Sequence, residues 1–164
     1  MKTVTPGPGS ERSYRDALGR FATGVTVVTT AGPDGPMAIT ANSFSSLSLD
    51  PPLVLWAPAK SSRRYQLFCD TPRFAIHVLA DDQLPVALHF ARTGHDFAPM
   101  DWEVGPDGLP LLRHFAARFD CTRHDVHDGG DHAIVVGRVN DVTIGDADPL
   151  VFANGEYGRF SLGL

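Results

Sequence analysis

The sequence predicts a mainly β fold, an antiparallel barrel with two or three short helices, and three observations carry that expectation. Six or seven β-branched or apolar runs recur at short spacing, which suits antiparallel neighbours better than βαβ crossovers. The segments between them are dense in Gly, Pro, Asn and Asp, most strongly HDGGD at 127–131 and Asn154-Gly155. Stretches with helical period are few and brief.

The elements follow in order. Ser13 can cap a helix in which Tyr14, Ala17, Leu18, Phe21 and Ala22 share one face before Gly24 ends it. Val25–Thr30 is a β-branched strand, AGPDGP at 31–36 is a turn, and Met37–Phe44 is the hairpin partner. Leu53–Trp56 is a third strand behind Pro51 and Pro52. Ser61 can cap a helix over Ser62–Cys69, Arg73–Leu79 is a strand, and Asp82–Arg92 reads as a helix with Pro85 in its first turn. Residues 94–110, GHDFAPMDWEVGPDGLP, form the longest irregular stretch and a candidate lid, because such loops often cover ligands. Two long strands, FAARFDCTRHDV and HAIVVGRVNDVTI, fill Phe115–Ile144 on either side of the HDGGD turn. Leu150–Phe152 and Tyr157–Phe160 end the chain as a short pair.

A chain of 164 residues fills one core, so a single domain over 13–164 is expected after a flexible lead-in of 1–12 rich in Pro, Gly and Ser. Apolar residues make up 43% and no run approaches the roughly 18 apolar residues of a membrane span, so a soluble, cytoplasmic protein without membrane contact is expected. A net charge of -5 argues against a nucleic-acid surface. Cys69 and Cys121 stand in no ligand spacing and read as small buried apolar residues.

The segment Thr40–Arg64 concentrates the polar chemistry. Thr40, Asn42 and Ser43 offer small donors and acceptors, while Lys60, Ser61, Ser62, Arg63 and Arg64 combine hydroxyls with positive charge at a helix start, where N–H groups and the helix dipole favour a phosphate. The same pattern also fits a plain N-cap followed by solvated arginines. No G-x-G-x-x-G follows a strand and no G-x-x-x-x-G-K-[ST] or G-x-S-x-G occurs, so neither a Rossmann site, a P-loop nor a hydrolase elbow is supported. No H-E-x-x-H occurs, and His124 and His127 would alternate to opposite strand faces, a poor basis for a metal site. His132 sits where a strand leaves a tight turn, a place where a lone histidine is most often structural and less often functional.

Five segments in fixed order, RDALGRFATGVTVVTT, TANSFSSLSLDPPLVLWAPAKSSR, FAIHVL, DGGDHAIVVGRV and PLVFANGEYG, resemble the flavin reductase-like family with an FMN-binding split barrel. The likeness is strongest to the small reductase components of two-component flavin-dependent monooxygenases and covers nearly everything from Tyr14 to Phe160. It implies a homodimeric Greek-key split β-barrel that binds FMN or FAD and accepts NADH or NADPH. By that resemblance Met37, Ala38, Ile39, Thr40, Asn42 and Ser43 line the flavin ring. Ala57, Pro58, Lys60, Ser61, Ser62 and Arg63 hold its ribityl and phosphate, with Ala91 and Arg92 closing that end. Gly130, Asp131, His132, Gly155 and Tyr157 match the nicotinamide-binding positions, His132 acting in nicotinamide positioning rather than proton transfer. Backbone N–H groups of 37–43 are expected to stabilise the reduced flavin, and a monooxygenase is the expected recipient of that flavin. Two other readings are a flavin-binding protein that stores or senses without turnover, and a pyridoxamine-phosphate-oxidase-like enzyme. The latter needs C-terminal arginines, of which only Arg159 follows the last hairpin.

Overall fold

A computed structural model describes residues 1 and 3–163; Lys2 of the expected lead-in and the terminal Leu164 lie outside the described residues. The framework is a seven-stranded antiparallel sheet. Its strands are β2 (Thr26–Gly32), β3 (Gly35–Ala41), β4 (Ser45–Leu49), β5 (Pro52–Trp56), β6 (Arg73–Val78), β9 (Ala117–Gly129) and β10 (His132–Ile144), in the spatial order β3-β2-β6-β9-β10-β5-β4. A three-stranded sheet joins β1 (Thr23–Gly24) to β11 (Leu150–Ala153) and β12 (Glu156–Arg159), and β7 (Trp102–Val104) pairs with β8 (Pro110–Leu112). This is the split barrel that the resemblance implied. The backbone ladder does not close as a full barrel would, because β3 and β4 remain its two edges.

Turn chemistry sets the registers. Gly130 has φ +80 in the two-residue loop between Gly129 and His132, a left-handed residue at the first loop position only, and the loop is tighter than the HDGGD pattern suggested. Asn154 and Gly155, at φ 53 and 81, are both left-handed between Ala153 and Glu156, the type I′ pattern. In β9 the register passes from Asp125 to Arg123, so His124 bulges out and the alternation expected of His124 and His127 is broken there. Among the described residues no group of His, Cys, Asp and Glu side chains converges for a metal ion. No described helix is long and apolar enough to cross a membrane.

The helices differ most from expectation. α1 (Glu11–Leu18) begins two residues before Ser13 and stops at Gly19 rather than Gly24. Gly19 is its stop because Gly19 O accepts from Asn154 N–H at 2.7 Å, while Arg20 and Phe21 bond back to Ala17 and Leu18 in a tightened last turn. None of its residues is buried, so its apolar stripe faces outward. α2 (Tyr65–Asp70) starts four residues after Ser61, which therefore does not cap it; Arg64 stands at the cap position without a side-chain cap bond. α3 (Leu84–Arg92) matches its expectation, with Pro85 in the first turn.

The main core gathers Trp56, Phe68, Phe74, Ile76 and Val135, with Trp56 meeting Phe68 edge to face at 5.2 Å. Cys69 and Cys121 are buried and free, as read from their isolation in the sequence. Burial pushes the Cys121 thiol up to about 12, which leaves it uncharged and inert.

Residues 94–110 are no lid. Phe97, Leu109 and Leu111 are buried, Thr29 Oγ1 donates to Pro110 O at 2.5 Å, and Arg73 pairs with Asp107 at 2.8 Å. His77 completes the attachment from inside: Leu112 N–H donates to its Nε2 at 3.1 Å and its Nδ1–H donates to Val27 O at 3.2 Å. Both ring nitrogens are thus occupied in the neutral form. Burial pushes the His77 pKa down to about 3. An unfolded histidine takes up its proton near pH 6.5 while the folded one resists until about pH 3, so this contribution is complete above pH 6.5 and is lost as pH falls towards 3. Between those limits one extra proton on the unfolded chain gives a slope of about 1.4 kcal/mol per pH unit. Urea unfolding between pH 6 and 4 should lose stability more steeply in the wild type than in His77→Met by about that slope; parallel profiles would contradict it.

Candidate functional site

The free edge of β3 begins the site. Ala38 N–H points away from β2 and donates to Gly94 O at 2.7 Å, so by the strand's two-residue period the Thr40 N–H points the same way. Ala38 O accepts from Arg64 Nη1 at 2.9 Å. The same guanidinium reaches the last turn of α3, giving Nη1 to Phe90 O at 2.7 Å and Nη2 to Ala91 O at 3.3 Å. A Cβ at Gly94 would lie 2.8 Å from Ala38 O, so only glycine permits this approach. Thr40 Oγ1 adds a further link, donating to Ala87 O at 2.7 Å. What remains of the edge is the Thr40 N–H. It borders a cleft of about 190 Å³ lined by Val25, Thr40, Ala41, Asn42, Ala91, Phe152 and Tyr157.

Beyond β3 the chain passes through Asn42 and Ser43. Ser43 Oγ accepts from Ala57 N–H at 2.9 Å and donates to Ala57 O at 3.3 Å, extending the β4–β5 register two residues beyond the Ser45–Leu55 pair. Its hydroxyl is committed to the fold, whereas the Asn42 side chain is exposed at the cleft.

The loop 57–63 is stitched to the β9–β10 hairpin. Ala133 N–H donates to Pro58 O at 3.1 Å, Lys60 N–H donates to Asp131 O at 2.9 Å, and Ala59 bridges His132. The Lys60 ammonium pairs with the Asp128 carboxylate, and that hydrogen bond raises the Lys60 pKa and lowers that of Asp128. Asp131 accepts from His132 Nδ1 at 2.7 Å, which holds its carboxyl below the usual range. Ser62 Oγ accepts from Arg64 N–H at 3.2 Å, and Ser61 and Arg63 are exposed. A second groove of about 820 Å³ runs between α1 and the β11–β12 hairpin, lined among others by Arg15, Arg20, Phe21, Thr23 and Gly155. It shares Asn42 and Phe152 with the first cleft, and the Thr23 hydroxyl there is buried without a partner.

The sequence-derived residues therefore fall into three sets. Thr40, Asn42, Ala91 and Tyr157 converge on one cleft, with Gly155 in the adjoining groove. Pro58, Lys60, Asp131 and His132 meet across the loop–hairpin contact, with Ala57, Ser61, Ser62 and Arg63 on the same loop and Gly130 at the hairpin tip. Arg92 is exposed at the end of α3. Met37 and Ile39 pack on the main core, Ala38 is buried, and the Ala38 N–H and Ser43 hydroxyl are already bonded within the protein, so neither is open to a ligand as the 37–43 expectation had it. The helix-start account of the phosphate site also fails, because Ser61–Arg63 precede α2 in a turn and hydroxyls and charge alone remain. Sequence reasoning missed Gly94 and Thr23 as parts of the site and grouped Arg64 with the phosphate-facing cations rather than with the carbonyl oxygens of β3 and α3 that hold it. Arg63 and Arg64 look alike as neighbours in one basic run, and only the turn at 59–65 sends one to solvent and the other to α3.

Residues 18–161 match the family model described as flavin reductase like domain. The chain is 52% identical over 156 residues to "FMN reductase (NADH) SmoA" of Agrobacterium fabrum, covering 95% of this chain and 90% of that protein. It is 47% identical to the reductase component of the flavin-dependent trigonelline monooxygenase of Acinetobacter baylyi, covering 89% of this chain and about half, 48%, of that longer protein. Among solved structures, the Streptomyces globisporus NADH:FAD oxidoreductase SgcE6 superposes with a TM-score of 0.90 at 36% identity, covering 98% of this chain and 99% of that one.

The Arg64 clamp is testable by itself. Arg64→Met leaves Ala38 O and Phe90 O without their charged donor and should lower the unfolding free energy by about 2 kcal/mol in urea titration, with weaker flavin binding because β3 and α3 are no longer tied. Unchanged stability and flavin affinity would contradict the clamp.

Proposed function

The chain belongs to the flavin reductase-like family, and from that premise we propose that it is an NADH-dependent flavin reductase which supplies reduced FMN or FAD to a partner monooxygenase. The observation that carries this reading is the single open donor on the β3 edge, the Thr40 N–H, beside a cleft lined by Asn42, Ala91 and Tyr157, with hydroxyls and a cation exposed on the separate loop 61–63. That donor order suits a ligand with a polar ring at one end and a phosphate at the other.

When both nucleotides are bound, a hydride passes from nicotinamide C4 to flavin N5, chemistry that the cofactors themselves supply. The protein's residues bind, orient and shield. The Thr40 N–H is a fixed dipole on the cleft wall that would stabilise negative charge growing at the N1–C2=O end of a bound flavin ring on reduction. Asn42 orients the ring through its side-chain amide. Lys60, Ser61, Ser62 and Arg63 would hold the phosphate, with Arg92 adding positive charge from the α3 end. Phe152 and Tyr157, with ring centroids 5.0 Å apart, wall the cleft against water. Asp131 fixes the His132 ring at 2.7 Å, and His132 with Gly130 positions the nicotinamide, Gly155 and Tyr157 receiving it from the other hairpin. No side chain of the site needs to move a proton.

The working unit is a homodimer. Leu47 and Leu49 are 50% and 97% exposed on the unpaired edge strand β4, an aggregation hazard in a lone subunit and a contact surface in a pair. Light scattering should give twice the 17.7 kDa chain mass; a stable monomer at assay concentration would contradict the dimer.

Purified protein should oxidise NADH, and NADPH less well, only when FMN, FAD or riboflavin is added. Flavin binding without nucleotide oxidation would replace the enzyme with a storage or sensing protein. His132→Ala should slow hydride transfer about tenfold at saturating substrates; equal rates would remove His132 from the mechanism.

A further inference from the structure

The Lys60–Asp128 pair joins two parts of the proposed site with opposite electrostatic demands. The loop 57–63 has to attract a phosphate and itself carries two cations, Lys60 and Arg63, with Arg92 on α3 as a third; the Arg64 guanidinium is held by three carbonyl oxygens 26 or 27 residues away in sequence. The β9–β10 hairpin brings Asp128 and Asp131 to the same loop by different contacts. Asp131 is tied to it through its own backbone, Lys60 N–H to Asp131 O at 2.9 Å, and Asp128 takes the Lys60 ammonium directly. The Asp131 carboxylate accepts from His132 Nδ1 at 2.7 Å. Asp128 has Lys60 as its side-chain partner and is 78% exposed, so it is both charged and accessible.

We propose that Asp128 is a specificity-determining residue for the flavin phosphate: it holds Lys60 as a counter-ion that an arriving phosphate must take over, and so keeps flavin affinity low enough for release. This rests on the reading that Lys60 faces the flavin phosphate. The ammonium has three donors and one flexible stem, and in the free protein it is oriented towards an intramolecular anion. A phosphate binding there must share the ammonium with Asp128 or displace it, and feels the Asp128 charge in either case. A riboflavin ring, which lacks the phosphate, feels neither effect. Asp128 thus discriminates between phosphorylated and unphosphorylated flavins without touching the ring. A weak phosphate grip is what a protein that hands its flavin onward requires, whereas a permanently bound prosthetic group would be served by an unopposed Lys60.

The test compares equilibrium dissociation constants for FMN and riboflavin, read by quenching of flavin fluorescence in the absence of NADH. Exposed ion pairs are weak, so Asp128→Asn should tighten FMN about two- to fivefold while leaving riboflavin unchanged. The gain should shrink at high salt, as expected of a screened charge. An FMN constant unchanged or weakened in Asp128→Asn, or equal shifts for both flavins, overturns the proposal. Lys60→Met separates this from failure of the underlying reading. If it weakens FMN relative to riboflavin while Asp128→Asn does nothing, the Asp128 role alone is wrong; if Lys60→Met leaves the ratio untouched, Lys60 does not meet the phosphate and both ideas fall.

Discussion

The Arg64 guanidinium takes three carbonyl oxygens from two elements, Ala38 on β3 and Phe90 and Ala91 at the end of α3, from a position that partly desolvates it and lowers its pKa. Two of those oxygens belong to the last turn of α3, where unpaired carbonyls and the negative end of the helix dipole make a cation favourable. An edge strand normally invites further pairing along its whole length. Here Arg64, Gly94 and the Thr40–Ala87 bond together cover the β3 edge, leaving the Thr40 N–H facing the cleft. The cleft has its shape because α3 is held at this distance and no closer.

The second half of the site depends on a different kind of contact. Three backbone contacts fasten the 57–60 segment to the β9–β10 hairpin, so the phosphate-facing loop and the residues around His132 move as one piece. The hairpin is in turn the most extensively paired part of the sheet, β9 lying between β6 and β10 and β10 between β9 and β5. Binding residues on a short loop thereby inherit the rigidity of two 13-residue strands. Residues 109–112 are locked to β2 and β6 by His77 and by Leu109 and Leu111 packed on Ala75.

Much of this was legible before any coordinates. Period-two apolar runs and turn residues such as Asn154-Gly155 mark strands and hairpins because backbone sterics act locally, and the order of motifs identified the family. Helix boundaries were harder to read: α1 ends where Gly19 meets Asn154, a contact 135 residues distant in sequence, and Ser61 lost its cap role to a turn fixed by Ala59. The hydroxyl-rich run at 45–49 hid the edge strand β4, since Leu47 and Leu49 give only two apolar positions among serines, too short an alternation to signal a strand. The residues 94–110 looked like a lid because they form the longest irregular stretch, while the buried side chains of Phe97 and Leu109 decide their packing. Within the site, residue types were readable but their availability was not. Whether the Ser43 hydroxyl or the Ala38 N–H is free depends on Ala57 and Gly94, partners that sequence proximity does not reveal.

A crystal structure of the protein soaked with FMN tests the central claim most directly. The account predicts the flavin ring against the β3 edge with its N1–C2=O end within hydrogen-bond distance of the Thr40 N–H, and the phosphate on Lys60, Ser61, Ser62 and Arg63. A ring seated in the groove beneath α1, or a phosphate away from the 57–63 loop, would contradict it.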